Sequence, residues 1–300
     1  MASKITKIVE KQILDKLEEG VVPWIKGWGG IGSSPRNIIS DKAYQGINRL
    51  FTGMQGYSSP YWMSYKQAKE LKGNVKKGEK GTKIIWAAQI EKKNPKEGEK
   101  SVYSAFRYSA VFNLGQCENV QIPKKIQKQI DAKVEIAAGN SNIIPPYDML
   151  KIYIDREAKS KKLSFSEGKE PSYNPKKDTI NMPFKQEFFV KSSIQEYIST
   201  LAHECIHSTG HWLRLDRKFN QELEQSFGSD SYAQEELIAE IGSAFICAEL
   251  GIERVLENQV AYIAGWKKKI KSQEGIVVKS SSLAQKAVNY IKEGEVNEKT

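Results

Sequence analysis

The 300-residue chain has three histidines, and all of them fall in the segment Leu201-Ala-His-Glu-Cys-Ile-His-Ser-Thr-Gly-His211. Their spacing of four and four puts His203, His207 and His211 along one face of a helix. Glu204 follows the first and completes H-E-x-x-H. Two neutral imidazoles one turn apart can share a Zn²⁺, which brings the pKa of its bound water near 7, and an adjacent carboxylate can take that water's proton. The pattern therefore points to an ion and a reaction type together: metal-assisted hydrolysis.

An open catalytic site needs a third protein ligand. In metzincin peptidases this is a histidine six residues beyond the second, after a turning glycine. Gly210 suits that turn, but His211 follows His207 by only four positions. The better donor is a second acidic helix, Tyr232–Phe245, where Glu236-Leu-Ile-Ala-Glu240 resembles the E-x-x-A-[D/N] element of gluzincins. Glu236 is expected to ligate and Glu240 to hydrogen-bond a ligating histidine, and the two roles could be exchanged. Glu204 is the expected general base. His211, Tyr173 and Tyr232 are alternative stabilisers of a developing oxyanion, and His211 could equally pack beside the helix end.

These groups must be positioned by their elements. Ser192 or Ser193 can cap the histidine helix, with Glu196 closing a capping box. Ile194, Ile198, Leu201 and Cys205 form its apolar stripe, and Gly210 is its stop. On the acidic helix Ala233, Leu237, Ile241, Ala244 and Phe245 make the buried face. Pro171–Pro183 reads as a hairpin turning at Asn174 to Asp178, with Pro183 ending an edge strand. Met149–Ile154 reads as a further strand.

The N-terminal half is different. Residues 1–128 carry 23 Lys+Arg against 11 Asp+Glu, whereas residues 129–300 carry 23 against 25. The whole net charge of +10 therefore lies before residue 129, which fits a phosphate-bearing partner. Aromatics interleave with this charge, including Trp24, Trp28, Tyr44, Trp62, Trp86, Tyr103, Phe106 and Tyr108. Unpaired bases can stack on such faces, so the composition favours single strands over duplex. The densest basic run is Lys69–Lys83, with Lys76, Lys77 and Lys80. Expected elements are a helix over 3–19 stopped by Gly20, a helix near Ser64 to Leu71, and strands Thr82–Ile90 and Val102–Phe112 paired as a hairpin. The fold expectation is α+β in two domains: 1–128, a spacer over 129–146, and 147–300.

Cys117, Cys205 and Cys247 are an odd number without C-x-x-C spacing, so neither a disulfide framework nor a cysteine zinc cluster is implied. No run of about eighteen apolar residues and no signal-peptide core are present, so a cytoplasmic protein without membrane partners is expected.

Together these runs resemble the ArdC-type antirestriction proteins of plasmids and other mobile elements. Ile13–Trp24 is similar to the family's opening helix and P-W corner. Tyr44-Gln-Gly-Ile-Asn48 matches Y-x-G-x-N, Trp62–Ala68 matches W-x-[ST]-[FY]-x-Q-A, and Val75–Gly81 matches V-[RK]-K-G-E-x-G. His203–Arg217 resembles H-E-x-x-H-x-T-G-H-x-x-R-L-x-R, and Glu235–Glu240 and Ala261–Trp266 also have counterparts. Ser208 departs from the family, which would have an aromatic there, and this puts substrate contacts in doubt.

The resemblance implies a single-stranded-DNA-binding N-terminal domain, a zincin-like metallopeptidase domain holding Zn²⁺ (Mn²⁺ or another divalent ion being an alternative), and protection of incoming DNA from restriction. It also makes His211, Arg214 and Arg217 structural or substrate-facing parts of the site, beside the metal ligands expected above, His203, His207 and Glu236, with Glu204 and His211 catalytic and Glu240 supporting. DNA contact is expected at Trp24, Tyr44, Asn48, Trp62, Lys66, Lys76, Lys77 and Lys80. A host protein as peptidase substrate, with DNA binding only for targeting, and a metal-dependent nuclease are the alternative functions.

Overall fold

In the computed structural model, residues 4–24, 34–91, 102–137, 146–161, 163–191, 193–217, 230–252 and 259–294 are described. Trp28 and the Gly-Asn-Ser-Asn part of the spacer lie outside them, as do the side chains of Tyr103, Ala261 and Tyr262.

The N-terminal module begins with α1 (Lys4–Glu18), whose Val9, Ile13 and Leu17 are buried and which ends before Gly20 at φ +76°. Four strands form its sheet: β1 (Arg36–Asn37), β2 (Tyr61–Ser64), β4 (Thr82–Glu91) and β5 (Val102–Asn113), in the order β1-β2-β5-β4. β4 and β5 are antiparallel, with Ile85 opposite Tyr108 and Trp86 opposite Arg107. This is the expected hairpin. β2 is antiparallel to β5 and parallel to β1. The pair β3 (Asn74–Val75) and β6 (Cys117–Glu118) lies apart.

Two short helices fix this sheet. α2 (Gly46–Gly53), not apparent from the sequence pattern, carries Asn48, whose amide accepts from the Ile85 N–H at 2.7 Å and donates to the Ile85 carbonyl at 2.6 Å. Asn48 thus satisfies the backbone of edge strand β4 as a neighbouring strand would. α3 (Tyr65–Glu70) is capped by Ser64 with Gln67 completing the box. α4 (Lys124–Ala137) then occupies the first part of the expected spacer.

The second module holds α5 (Pro146–Lys161), the sheet β7-β9-β8 (Ser164–Gly168, Thr179–Pro183, Ser172–Asn174), α6 (Lys185–Lys191), α7 (Ile194–Thr209), α8 (Asp230–Leu250), α9 (Gln259–Ser272) and α10 (Ile276–Glu293). Two expectations are corrected here. Met149–Ile154 is the middle of α5, because Leu150, Tyr153 and Ile154 follow the helical period and are the buried set. The Ser172–Pro183 hairpin is present, but β9 is the central strand, paired with β7 as well as β8, so Pro183 ends an inner strand.

α8 is buried all round from Leu237 to Ala248, with Leu237, Ile238, Ala239, Ile241, Phe245 and Ile246 fully enclosed. A helix of that kind must be covered on several sides, and α7 and α10 pack along it. The modules share this core. Val9, Ile13, Leu17, Leu50 and Phe51 belong to one cluster with the buried residues of α7, α8 and α10. The four-stranded sheet has only a small core of its own around Ile38, Tyr61 and Met63. A buried Arg49 on α2 seals the junction. It donates to Glu249 at 2.9 Å and to the Phe245 carbonyl at 2.6 Å, with its guanidinium 4.4 Å over the Phe245 ring.

Candidate functional site

α7 starts as its residues dictate. Ser193 Oγ accepts the Glu196 N–H at 3.2 Å and Glu196 returns the bond to Ser193 N–H at 2.6 Å, which satisfies two otherwise orphaned donors. Ile198, Leu201 and Cys205 face the core, while Ile194 is exposed. The remaining face brings His203 and His207 to α8. Gly210 closes the helix with an ordinary right-handed φ of −74° rather than a left-handed cap.

Three donors converge between these helices. His203 Nε2 and His207 Nε2 are 3.0 Å apart, and they lie 3.5 and 3.4 Å from the two Glu236 carboxylate oxygens. A tetrahedral ion with ligand bonds near 2.05 Å separates its donors by about 3.3 Å. The observed separations fit that figure, so His203, His207 and Glu236 could hold one divalent ion.

The other imidazole nitrogens each meet a carboxylate. His207 Nδ1 is 3.3 Å from Glu235 and His203 Nδ1 is 3.7 Å from Glu240. Such partners fix which ring nitrogen faces an ion and raise its basicity. Glu235 is fully buried and held by Arg217, through Nε at 2.9 Å and Nη2 at 2.5 Å. Burial alone would raise the Glu235 carboxyl, but Arg217 and His207 hold it at about 2. Burial likewise opposes ionisation of Glu236, yet His207 and His203 keep its carboxyl well below the usual range. For His207 burial disfavours the cation, but Glu236 and Glu235 outweigh it and raise the imidazole.

Arg217 does more. Its Nη1 reaches Thr209 Oγ1 at 2.7 Å and its Nη2 the Ile206 carbonyl at 2.8 Å, so it also caps the C-terminal end of α7. Sequence reasoning missed Glu235 and the pairing with Arg217. The available signal was the run of two glutamates at 235 and 236, which sit on adjacent helical faces.

Glu204 is buried on α7 beside the histidines. His211 lies outside the converging trio, in the turn after α7. Its Nδ1 accepts the Leu213 N–H at 3.3 Å and sits 3.8 Å from Asp178. Burial holds its pKa below the ordinary value, with Asp178 opposing. Arg214 forms a fork on Asp178, donates to the Tyr173 hydroxyl at 3.2 Å and binds the Ser208 carbonyl at 2.6 Å. Tyr173 donates to Asp178 at 2.7 Å. Tyr232 is half-buried near the start of α8. Ser208 is fully buried, with its hydroxyl 2.7 Å from that of Tyr153, so this position faces the core rather than a substrate.

The expected DNA-contact positions divide sharply. Trp24 and Trp62 are each 1 % exposed, packed edge-on against Trp266 and Tyr57. Rings so enclosed offer no face to a base, and both are corrected to core residues. Asn48 is committed to Ile85, and the Tyr44 hydroxyl is enclosed. Lys66, Lys76, Lys77 and Lys80 are exposed. Among the described residues of this half, the exposed aromatics are Tyr65, Trp86, Phe106 and Tyr108, with Lys69 and Lys83 over Tyr65 and Tyr108.

Residues 3–113 match the N-terminal domain of anti-restriction factor ArdC, and residues 155–283 match a zincin-like metallopeptidase domain. Two relatives are named DNA primase TraC from Escherichia coli. They are 31 % and 30 % identical over 94 % and 95 % of this chain, which spans only 26 % and 20 % of their length. The uncharacterized protein y4eC of Sinorhizobium fredii is 28 % identical over 94 % of the chain and 90 % of its own. Among solved structures, the antirestriction protein ArdC of plasmid R388 is 30 % identical. Its metal-free form superposes with a TM-score of 0.75, covering 97 % of both chains, and its Mn(II)-bound form with 0.72, covering 98 % and 99 %. With both halves matched in order, and a 30 % identical structure covered almost end to end, the chain belongs to the ArdC family of antirestriction proteins.

Proposed function

We propose that this chain is an antirestriction protein of a mobile element, acting in the cytoplasm, that holds single-stranded DNA through residues 1–128 and hydrolyses peptide bonds at a divalent-metal site in residues 147–300. The observation that carries the catalytic half is the convergence of His203 Nε2, His207 Nε2 and the Glu236 carboxylate at 3.0–3.5 Å. Zinc is the metal best suited to two imidazoles and one carboxylate, and Mn²⁺, the ion bound in the R388 protein, is the alternative.

A divalent ion held by His203, His207 and Glu236 would supply Lewis acidity, which makes water acidic enough to lose a proton near neutral pH. Glu204 is the base that takes this proton and later passes it to the leaving amine. Glu235 holds the His207 imidazole in orientation through Nδ1, while Glu240, 3.7 Å from His203 Nδ1, adds a carboxylate beside the other ring without a direct hydrogen bond. The Leu213 N–H on Nδ1 puts the proton of neutral His211 on Nε2, from which it can donate to a developing oxyanion. Asp178, Arg214 and Tyr173 brace the turn that carries His211.

The DNA half rests on the charge of residues 1–128 and on the exposed Lys66, Lys76, Lys77 and Lys80. These cations can track phosphates without reading sequence.

Two measurements test the proposal. Wild-type protein loaded with Zn²⁺ or Mn²⁺ is incubated with a peptide library and with oligonucleotides, alongside Glu204→Gln. Peptides cleaved only by wild type, with metal content equal in both, support the peptidase. Metal-dependent nicking of DNA would identify a nuclease instead, and no cleavage of either would reduce the site to a structural one. Separately, binding of the full chain to single-stranded and duplex oligonucleotides is followed across a salt series. Equal affinity for the two, or no salt dependence, overturns the DNA half.

A further inference from the structure

Between the β4–β5 hairpin and α10 lies a cleft of about 560 Å³, remote from the histidines. That volume is within the roughly 300–1,000 Å³ of small-ligand sites. Phe106, 65 % exposed, lines its hairpin side over a floor that includes Ile47 and Ile85, whose side chain shares the Phe106 face of the hairpin. The Trp86 indole lies on the opposite face of the hairpin, where its Nε1–H donates to Ser109 Oγ at 2.9 Å. On the opposite side, Gln285 donates to the Asn289 amide oxygen at 2.9 Å, so the Asn289 NH₂ group remains a donor at the cleft wall. Gln45 stands at the N-cap of α2 and its side chain makes no capping bond there. Among the described lining residues there is no carboxylate, and the one charged group is Lys286.

We infer that this cleft holds an unstacked base of single-stranded DNA, with the base on Phe106, its edge within reach of Gln45 and Asn289, and Lys286 on the adjoining phosphate. The chemistry favours this occupant. Aromatic faces accept any base, amides meet both donors and acceptors on base edges, and a cation in a lining without carboxylates suits a polyanion. A paired base in duplex has no free face to offer. The inference rests on the DNA half of the proposed function but differs from it in one respect. It makes α10, from the peptidase half of the chain, part of the DNA site, so that one strand would contact both modules.

The test uses the full chain and a labelled single-stranded 20-mer, with the same sequence as duplex for comparison. Phe106→Ala removes the exposed ring and should weaken single-strand binding about fivefold or more while leaving duplex binding unchanged, whereas Trp86→Ala, on the opposite face of the hairpin, should bind as wild type. Lys286→Gln should reduce the slope of log affinity against log salt by roughly the share of one phosphate. Photocrosslinking of a 5-iododeoxyuridine-bearing strand should map to Phe106, and melting curves confirm that each variant folds. If wild type binds single strands and Phe106→Ala binds equally well, the cleft inference fails and the DNA half survives. If wild type binds no single strand, both fail. A variant that alters peptide hydrolysis with DNA binding intact would mark a protein-docking cleft and overturn the inference.

Discussion

Gly242 on α8 lies directly against Ile206 on α7: a Cβ at position 242 would fall 2.8 Å from Ile206 Cδ1 and 2.9 Å from Cγ1. Glycine is the residue that lets the two helix backbones close to this distance. The approach matters because Glu236 sits a turn and a half upstream of Gly242, and His203 and His207 flank Ile206. Gly242→Ala should gain up to about 1 kcal/mol in helix propensity but lose about 1–3 kcal/mol to overpacking against a stiff β-branched side chain. The net expectation is destabilisation with weakened metal binding. Ile206→Ala combined with Gly242→Ala should be less destabilised than the sum of the two single changes. A double-mutant cycle read by chemical denaturation and by metal titration checks this, and additive effects would rule out the steric account.

The Arg217–Glu235 pair gives a second prediction. Both side chains are buried, and Arg217 joins Glu235, Thr209 and the Ile206 carbonyl. Arg217→Leu leaves an uncompensated carboxylate in the core and should cost about 3–5 kcal/mol of stability. Metal affinity should fall roughly 10–100-fold, because His207 loses the orientation that Glu235 provides. Arg217→Lys should not rescue either property, since one ammonium cannot reproduce a planar fork with three sets of partners. Recovery of wild-type metal affinity in the lysine variant would refute the positioning role.

Legibility in the sequence follows how local each signal is. The metal helix is legible because its content is local: i,i+4 histidines, a capping serine with its glutamate, and an apolar stripe offset from both. Glu236 is legible from its own helix. Glu235 is not, because its role depends on Arg217, which arrives by a tight turn after α7. Met149–Ile154 misleads because a six-residue stretch that is apolar except for Lys151 fits both periods, and only packing of Tyr153 against α7 and α10 decides between them. The aromatics of the basic half mislead for another reason. Composition counts rings, whereas exposure is set by tertiary packing, so Trp24 and Trp62 go to the core while Trp86 stays outside.

Asp41 offers a pH prediction. It accepts from Lys125 at 2.9 Å, from Gln129 at 3.1 Å and from Arg36 at 3.1 Å, and so ties the β1 turn to α4. Lys125, then Gln129 and Arg36, outweigh burial and lower its pKa from 3.8 to about 2. Because the folded-state value is depressed, the associated stability is complete above the unfolded value. It is lost as pH falls from about 5 toward 2. Between pH 6 and pH 3 this carboxyl should account for roughly 1 kcal/mol of lost stability. Asp41→Asn should be less stable at neutral pH, and its stability should fall less steeply over that interval. Denaturation measured at pH 6 and pH 3 decides the matter, and parallel losses in the two proteins would exclude the assignment.

The two kinds of residue in the basic half should separate cleanly by experiment. Trp62 is 1 % exposed against Tyr57, so Trp62→Ala should cost about 3–5 kcal/mol of stability. Any loss of DNA binding should then follow unfolding. Lys77 and Lys80 are exposed, so Lys77→Gln with Lys80→Gln should leave the melting temperature unchanged. Their effect should appear as weaker binding at low salt and a shallower salt dependence, by roughly one unit of slope for each phosphate no longer neutralised. Lys76 is a more demanding case, because its ammonium already reaches the Gly115 carbonyl at 2.9 Å. A phosphate must compete with that bond, so Lys76→Gln should reduce the slope less than either neighbour. Equal slopes for all three variants would mean that the bond to Gly115 does not hold in solution. An unchanged slope would place the DNA elsewhere on the module.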